Sequence, residues 1–321
     1  MVEIIYTDKY GKEIGMLPWA EGDFTIGKSN TFTLKIPTNI GIEQDCFLMI
    51  EGTEYGGIVD DVEIDTTATY ITVSGRTWHG ILEKSPLCPD AGRDYYTVSG
   101  DLNIVIGQII ARQGLSFCMS ANAQESGYSL SNYQTTYTDT YSAMRSMLKS
   151  VGCKLSIKYS GADRKAILSA IKRGEYIDDG IDGDAVDFQI KHTRPVNHLV
   201  ALGKGELKDR TRVDVFADEN GNVSTTQTLF GAQHKGEIYE LSSTEDNKLL
   251  EDATSKLQDY QSSLSSCALK DVDGSKYDID DIVGGKSTKH GVSATTTIAQ
   301  KIATVSRNRL VEETKTEAEV V

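Results

Sequence analysis

The chain has 321 residues, 39% of them hydrophobic and 25% charged, with 5 prolines. At ~100–200 residues per domain it is a globular chain of two or three compact units, outside the collagen-like, proline-rich and disordered classes. Lys plus Arg number 33 against 47 Asp plus Glu, a formal net charge of -14, which argues against coating nucleic acid by phosphate neutralisation and against sequence-specific nucleic-acid binding. No run reaches the ~18–20 apolar residues of a spanning helix, and residues 1–8 lack the basic start and apolar core of a signal peptide, so no membrane anchor is expected.

From Phe24 onward apolar residues alternate: Phe24 and Ile26, then Phe32, Leu34 and Ile36, with Pro37 closing the run because it cannot donate to a sheet ladder. Cys46–Ile50, Gly56–Val62 and Tyr70–Ser74 continue the pattern, and Gly52-Thr53-Glu54 and 65–68 carry turn chemistry. Residues 1–90 therefore read as about six short antiparallel strands of a small barrel or sandwich. The period then changes. Leu102, Val105, Ile106, Ile109 and Ile110 fall at helical spacing, with Asp101 placed to cap the start and Gly114 to end it. A second helix from about Thr140 carries Met144, Met147, Leu148 and Val151 and stops at Gly152. Two strand-like runs follow, Cys153–Tyr159 and Lys165–Ala170, which makes residues 91–185 a small α+β domain.

Residues 186–202 alternate again, and 213–223 reads as a hairpin with Asn220-Gly221 as a two-residue turn. A long helix over about 245–264 interrupts this second β-rich domain, 186–311; Ser242 and Glu245 offer a capping box, and Leu249, Leu250, Ala253, Leu257, Tyr260 and Leu264 form one stripe. Strands resume at 268–272, 281–284 and 292–305. Residues 312–321 are acidic without apolar period and read as a flexible tail. The fold class is mainly β, α+β overall: two small antiparallel barrel or split-barrel domains, an inserted α+β domain and one long helix.

Five cysteines (Cys46, Cys88, Cys118, Cys153, Cys267) lie 30 or more residues apart with no CxxC pair, so reduced thiols that pack as small hydrophobes are expected, with neither a zinc knuckle nor a disulfide framework. Gly284-Gly285-Lys286-Ser287-Thr288 resembles the end of a phosphate-binding loop, but the leading glycine would be Asp280 and a strand follows instead of a helix, which favours a turn between strands. Gly203-Lys204-Gly205 lacks the third glycine of a dinucleotide fingerprint and reads as a bulge or tight corner. An EF-hand loop begun at Asp178 puts Gln189 where the bidentate Glu belongs, and one begun at Asp271 puts Lys276 at the obligatory Gly. An irregular calcium site built from Asp178, Asp179, Asp182 and Asp184 is the weak metal candidate; no catalytic or cofactor-binding residue and no cofactor are expected. The histidines (His79, His192, His198, His234, His290) show neither HExxH nor i,i+4 spacing, and only Tyr95-Tyr96 groups the aromatics.

The segments Gly56-Gly57-Ile58-Val59, Ile71-Thr72-Val73-Ser74-Gly75-Arg76, Gly80-Ile81-Leu82 and Pro86 resemble the first barrel of phage tail-tip hub proteins, the family of contractile-phage baseplate hubs and of the N-terminal hubs of siphophage tail-associated lysins. Asp23-Phe24 and Leu34-Lys35-Ile36-Pro37 are similar to its opening strands. Asn197-His198-Leu199-Val200-Ala201-Leu202-Gly203-Lys204-Gly205-Glu206-Leu207 with Arg210 resembles the start of the second barrel, and Tyr277-Asp278-Ile279-Asp280-Asp281-Ile282-Val283-Gly284-Gly285 its closing segment. The third residue before Val283 is commonly Gly in that pattern; here it is Asp280.

The resemblance implies a non-enzymatic structural part of a virion tail, assembled in the host cytoplasm, in which a homotrimer presents six barrel-like units and matches a sixfold tail tube to a threefold tip. Its implied partners are a distal tail protein or tail tube ring, the tape-measure protein, and a fibre or spike. Three copies would carry a formal -42; charge of that sign along a central channel would repel passing DNA. The alternatives are a cell-wall hydrolase with its site near Asp178–Asp184 and a host-carbohydrate-binding tail module.

Overall fold

The computed structural model describes residues 2–177, 188–192, 194–241, 248–262, 265–269, 276–287, 292–307 and 309–316. The chain is mainly β, as the alternation predicts. In chain order its strands begin with β1 (Ile4–Thr7), β2 (Glu13–Met16), β3 (Glu21–Ile26), β4 (Thr31–Pro37), β5 (Phe47–Ile50), β6 (Gly56–Glu63) and β7 (Tyr70–Thr77). Helix α1 (Trp78–Glu83), β8 (Pro86–Leu87), β9 (Tyr96–Asp101), α2 (Leu102–Arg112), β10 (Met119–Ala121), β11 (Ser129–Thr135), β12 (Thr138–Asp139), α3 (Thr140–Lys149), β13 (Cys153–Ser160), β14 (Lys165–Lys172) and β15 (Glu175–Ile177) follow. Then come β16 (Phe188–His192), β17 (His198–Leu202), β18 (Arg212–Ala217), β19 (Val223–Ser224), β20 (Gly236–Glu240), α4 (Leu249–Ser262), β21 (Ser265–Leu269), β22 (Ile282–Ser287), β23 (Val292–Ser306) and β24 (Arg309–Thr316).

Contacts divide the chain into two compact units, Met1–Ile177 with Asp271–Val283 and Thr297–Thr316, and Asp178–Lys270 with Gly284–Thr296 and Glu317–Val321. The large sheet has strand order β15-β22-β23-β3-β4-β7-β6-β5-β1-β2, with β24 paired to β23. Among the described residues this is an open path with no closing pair. In the first unit the pairs from β1 to β7 are antiparallel, and β23 lies antiparallel to β3 with Lys301 opposite Ile26 and Ser306 opposite Glu21. Alternation dictates the faces: Phe32, Leu34 and Ile36 of β4 are buried while Thr31, Thr33 and Lys35 are exposed.

The α+β segment packs its helices into the same core. Asp101 caps α2 by accepting from the Asn103 amide at 2.9 Å, and Asp139 caps α3 through the Ser142 amide at 2.8 Å. Gly114 and Gly152 stop the two helices at φ of +69° and +71°. Leu102, Val105, Ile106, Ile109 and Ile110 of α2 and Met144, Met147 and Leu148 of α3 meet Phe47, Met49 and Trp78 in one cluster, each buried side chain contributing roughly 1.5–3 kcal/mol. In the second unit β19-β18-β17-β20 form a four-stranded sheet in which β17 and β20 are parallel. Leu249, Ala253 and Leu257 of α4 cover Leu199, Ala201, Val215 and Ala217, while Leu250 stays 44% exposed and falls off the expected stripe. The proposed capping box at Ser242 and Glu245 lies outside the described residues.

Three local expectations change. The Asn220-Gly221 connection is a five-residue loop, because Phe216 pairs Ser224 and Ala217 pairs Val223, and the Asp218 carboxylate gathers the Asn220 and Asn222 amides at 2.8 and 2.9 Å. Residues 284–287, read as a turn from their glycine pair, continue strand β22 (Ile282–Ser287). Strand β24 carries the chain to Thr316 opposite β23, so Glu312 to Thr316, placed in an acidic tail by composition, are sheet residues. Of the four cysteines whose side chains are described, Cys46, Cys118 and Cys153 are buried and Cys88 is exposed, all free. No helix among the described residues is long and apolar enough to cross a membrane.

Candidate functional site

The main concentration of buried charge in the first unit forms where segments distant in sequence meet. The 50–55 turn supplies Glu54 and Tyr55, α1 supplies His79, α3 supplies Tyr141, Arg145 and Lys149, and β13 supplies Lys154. The returning chain adds the buried Asp280 and Asp281 and the half-exposed Asp278, then Lys301 from β23 and Glu312 from β24. Alternation explains Lys301: Ala299, Ala303 and Val305 point inward on β23, and a residue at the position between them is inward too. α1 forms because Thr77 caps it, its hydroxyl accepting from the Gly80 amide, while Trp78, Ile81 and Leu82 bury one side.

Asp280 organises the first half of the seam. Its φ is +73°, the left-handed backbone that glycine adopts at least cost and Asp tolerates better than most residues. The departure from glycine at this position thus keeps the backbone shape and adds a carboxylate that is 2% exposed. Arg145 grips it with two bonds, Nε to Oδ2 at 2.9 Å and Nη2 to Oδ1 at 2.5 Å, and Lys149 Nζ lies 2.9 Å from Oδ1. Arg173 donates to the Asp280 carbonyl. Burial pushes the Asp280 carboxyl up, but the Arg145 and Lys149 cations hold it below the usual carboxylate range.

The second half centres on two buried lysines. Lys154, 5% exposed, meets Asp281 at 2.7 Å and Asp278 at 2.9 Å, and Asp281 also accepts the Gly174 and Asp278 amides at 2.7 and 2.8 Å. Lys301 Nζ lies 3.0 Å from Glu54 and 3.0 Å from Asp278, with Glu312 at 3.9 Å. Burial alone lowers a lysine; the Glu54 and Asp278 charges reverse that and hold Lys301 above its usual value. Burial pushes Glu54 up against the pull of Lys301, while Asp278, also raised by burial, is drawn below its usual range by Lys301 and Lys154. The Tyr55 hydroxyl donates to Glu312, and burial, then Glu54, raises that phenol.

His79 stays neutral. Burial, then the Arg145 and Lys301 charges, lower its imidazole to about 3. Its Nε2 is 3.7 Å from Glu54 Oε2, beyond hydrogen-bond reach, and its Nδ1 has no hydrogen-bond partner. The ring meets Tyr141 edge-on at 5.5 Å. These groups, with Arg145, Asp278 and Lys301, line a cavity of about 190 Å³. Chemically the seam is a set of matched charges that clamps the returning strands onto α3 and β13; His79, with an unpartnered Nδ1, orients no nucleophile through that nitrogen.

The residues singled out from sequence fall elsewhere. Asp178, Asp179, Asp182 and Asp184 lie outside the described residues, as does His290, and among the described residues no group of three His, Cys, Asp or Glu is placed to hold a metal ion. Gly203-Lys204-Gly205 makes the expected tight corner: the Gly203 amide bonds Thr211 O at 2.8 Å and Thr211 N bonds Lys204 O at 2.9 Å. Tyr95 is 49% exposed and Tyr96 lies under the Arg112 guanidinium at 4.8 Å, so the pair forms no shared platform. The aromatic grouping is instead Phe47, Trp78 and Tyr159, stacked in series at 5.7 and 6.1 Å. Sequence reasoning passed over Glu54, Arg145, Lys149, Lys154 and Lys301; the signal available was a lysine at an inward position of a strand at 301, whereas Lys154 lies on the polar face of β13 with Ser156 and Lys158 and gives no such signal.

No family model matches the sequence, and no curated protein matches it. Among solved structures, a chain of the phage P2 baseplate in its activated conformation with Ca aligns over 99% of both chains with a TM-score of 0.50 at 12% identity. A chain of the p2 virion baseplate in activated conformation aligns over 99% of each with a TM-score of 0.50 at 13% identity. The 43 kDa tail protein of prophage MuSo2 from Shewanella oneidensis aligns over 98% of each chain with a TM-score of 0.46 at 13% identity. These three are phage tail and baseplate proteins, and the fold is shared with the P2 baseplate chain from end to end.

Proposed function

We propose that this chain is a structural, non-enzymatic component of a phage or prophage tail tip: a hub whose three copies form a ring joining the sixfold tail tube or distal tail protein to a threefold tip. The supporting observation is the end-to-end fold correspondence with a baseplate chain, over 99% of both. In this reading the segments 1–90 and 186–311 serve as the two barrel-like wall segments of each copy. The ring leaves a channel for the tape-measure protein and DNA, and contacts a fibre or spike beyond it. The charge seam suits a part that works by shape, because it locks distant segments into one arrangement. The net charge of -14 per chain disfavours adhesion of DNA to such a ring.

Sedimentation velocity over a range of concentrations, alone and mixed with candidate distal tail and tape-measure proteins, tests the reading. A threefold species in at least the mixed sample is expected; a monomer under every condition overturns the ring. A peptidoglycan zymogram is expected to stay blank, and clearing that disappears on Asp178→Asn with Asp182→Asn would establish the hydrolase instead. Saturable binding on a glycan array would favour the carbohydrate module.

A further inference from the structure

The first unit holds an aromatic-lined cavity apart from the charge seam. The buried Phe47, Met49, Trp78 and Tyr159 form its floor, with the Trp78 and Tyr159 ring planes 1° apart. Tyr10, from the turn between β1 and β2, and Phe117, just before β10, also line it and are 84% and 67% exposed. Single exposed aromatics are ordinary, but two that border one hollow floored by further rings leave a continuous apolar surface open to water. The cavity measures about 240 Å³, below the roughly 300–1,000 Å³ of a cofactor-sized site and on the scale of one anchoring side chain. Arg164 and Lys165 complete the lining, and neither makes an ion pair among the described residues. The acids nearby are engaged: Asp163 accepts the Ser160 hydroxyl at 2.7 Å and Glu13 the Tyr159 hydroxyl at 3.3 Å.

A matching feature lies at the other end of the β6–β7 hairpin. β6 starts at Gly56, against the Trp78 ring, and runs to Glu63; β7 returns from Tyr70 to Thr77, beside Gly57. At ~3.3 Å per residue the tip of the hairpin stands roughly 25 Å from the cavity. Asp65 fixes the tip, its carboxylate accepting the Thr67 amide and hydroxyl at 2.8 and 2.7 Å. Ile64 is 68% exposed there, and of the exposed large apolar side chains among the described residues it alone lies between two acids, Glu63 and Asp65. Neither acid makes an ion pair among the described residues.

We propose that Ile64 of one copy seats in the aromatic cavity of a second copy, with Glu63 and Asp65 against Arg164 and Lys165. The assignment deepens the ring reading and rests on it. A second copy brings the complement of the cavity: an aliphatic anchor between two acids, offered to two cations that have no partner of their own. The apolar anchor supplies affinity, while the opposite charges set the register and offset at short range the repulsion between two acidic chains. The hydrogen-bonded tip has little freedom left to lose on docking. Tip and cavity are unlike patches too far apart to meet within one chain, so the contact is heterologous and, repeated head to tail, closes a ring or continues as a filament.

Disulfide trapping of the full chain is the test. Two variants, Ile64→Cys and Phe117→Cys, each also carrying Cys88→Ser and Cys267→Ser, are mixed in equal amounts and oxidised with diamide. A disulfide joining the two variants is expected, with far less when Tyr137→Cys, at a residue 76% exposed and outside the cavity, replaces Phe117→Cys. In the sample that associates by sedimentation, Ile64→Asp should weaken association at least about 10-fold. Glu63→Lys with Asp65→Lys should weaken it too, and Arg164→Glu with Lys165→Glu in the other copy should restore it. Ile64 is exposed at a turn, so Ile64→Asp should keep the wild-type circular dichroism spectrum. Equal disulfide yields at 117 and 137, or a threefold species undisturbed by Ile64→Asp, overturns this contact and leaves the ring reading standing on other surfaces. A chain that is monomeric under every condition and yields no disulfide overturns both. Protection of Phe117→Cys from diamide by a candidate distal tail protein, with no disulfide to Ile64→Cys, assigns the cavity to that partner and overturns the second copy as its occupant.

Discussion

Asp280→Gly isolates the chemistry of the seam, because glycine suits the left-handed backbone of +73° and removes only the carboxylate. Deleting one member of a buried ion pair costs about 3–5 kcal/mol, since its partners are left buried and unmatched. Arg145 and Lys149 retain 22% and 35% exposure and recover part of their hydration, which brings the expected loss to about 2–3 kcal/mol. The backbone effects of glycine, relief of left-handed strain against greater freedom when unfolded, are each about 1 kcal/mol and opposed. Chemical denaturation followed by tryptophan fluorescence reads the loss directly, and a melting shift of roughly 4–10 °C accompanies it. Asp280→Asn should lose a similar amount, Asp280→Ala more, and Arg145→Met added to Asp280→Gly should recover part of it. The carboxyl is held below its ordinary 3.8, so its contribution is present above that value and disappears as the pH falls through and below it; the gap between wild type and Asp280→Asn should close in acid. An Asp280→Gly protein as stable as wild type at neutral pH would refute the reasoning.

Lowering the pH from 6.5 toward 3 should destabilise the first unit through His79, because the unfolded chain takes up a proton that the buried imidazole, at about 3, refuses; the loss at pH 5 is about 2 kcal/mol. His79→Gln removes that slope, and the difference between the two denaturation profiles separates it from the opposite trend of the raised Glu54 carboxyl. Gly27 has φ of +109° and an added Cβ would sit 2.0 Å from Ala299 O, so Gly27→Ala should cost about 2–4 kcal/mol and lower the melting temperature, whereas a neutral effect would show that β3 and β23 separate freely. Leu257 is 0% exposed between α4 and the four-stranded sheet; Leu257→Ala should cost about 2–5 kcal/mol in urea denaturation.

What the sequence discloses follows from how local each interaction is. The strands from Phe24 to Ile36 and helices α2 and α3 are readable because apolar spacing, an aspartate cap and a stopping glycine all lie within one element. Helix α1, only six residues long, is too short to show a period. Strands β9 and β11 bury little beyond Val98 and Leu130, so they offer no alternation to detect. The seam is hidden for another reason. Arg145 and Asp280 are 135 positions apart and Lys154 and Asp281 are 127 apart, and nothing in either segment names its partner. Glu54 reads as turn chemistry until Lys301 arrives beside it. The positive φ at Asp280 shows the rule that was missing: a non-glycine residue holds a left-handed position most readily when its side chain has something to bind.

The seam also answers a problem of register that the apolar pattern leaves open. On β23 the buried apolar side chains are Ile298 and, beyond it, Ala299, Ala303 and Val305, small groups that fill little space, and the strand includes threonines at 295–297 and 304 that suit either face. Ile298 resists a slide by one residue, but from 299 to 305 the small inward groups distinguish poorly between neighbouring alignments. Lys301 changes that balance. In the observed register its ammonium reaches Glu54 and Asp278 at 3.0 Å; one residue either way turns it to the opposite face and leaves Glu54 buried without a cation, a penalty of several kcal/mol. Replacing buried pairs by apolar side chains often leaves stability unchanged, so the better account of these charges is alignment. They exclude the near-degenerate pairings that the alanine- and threonine-rich part of the strand would otherwise sample, and they do so where β23 returns to lie against β3.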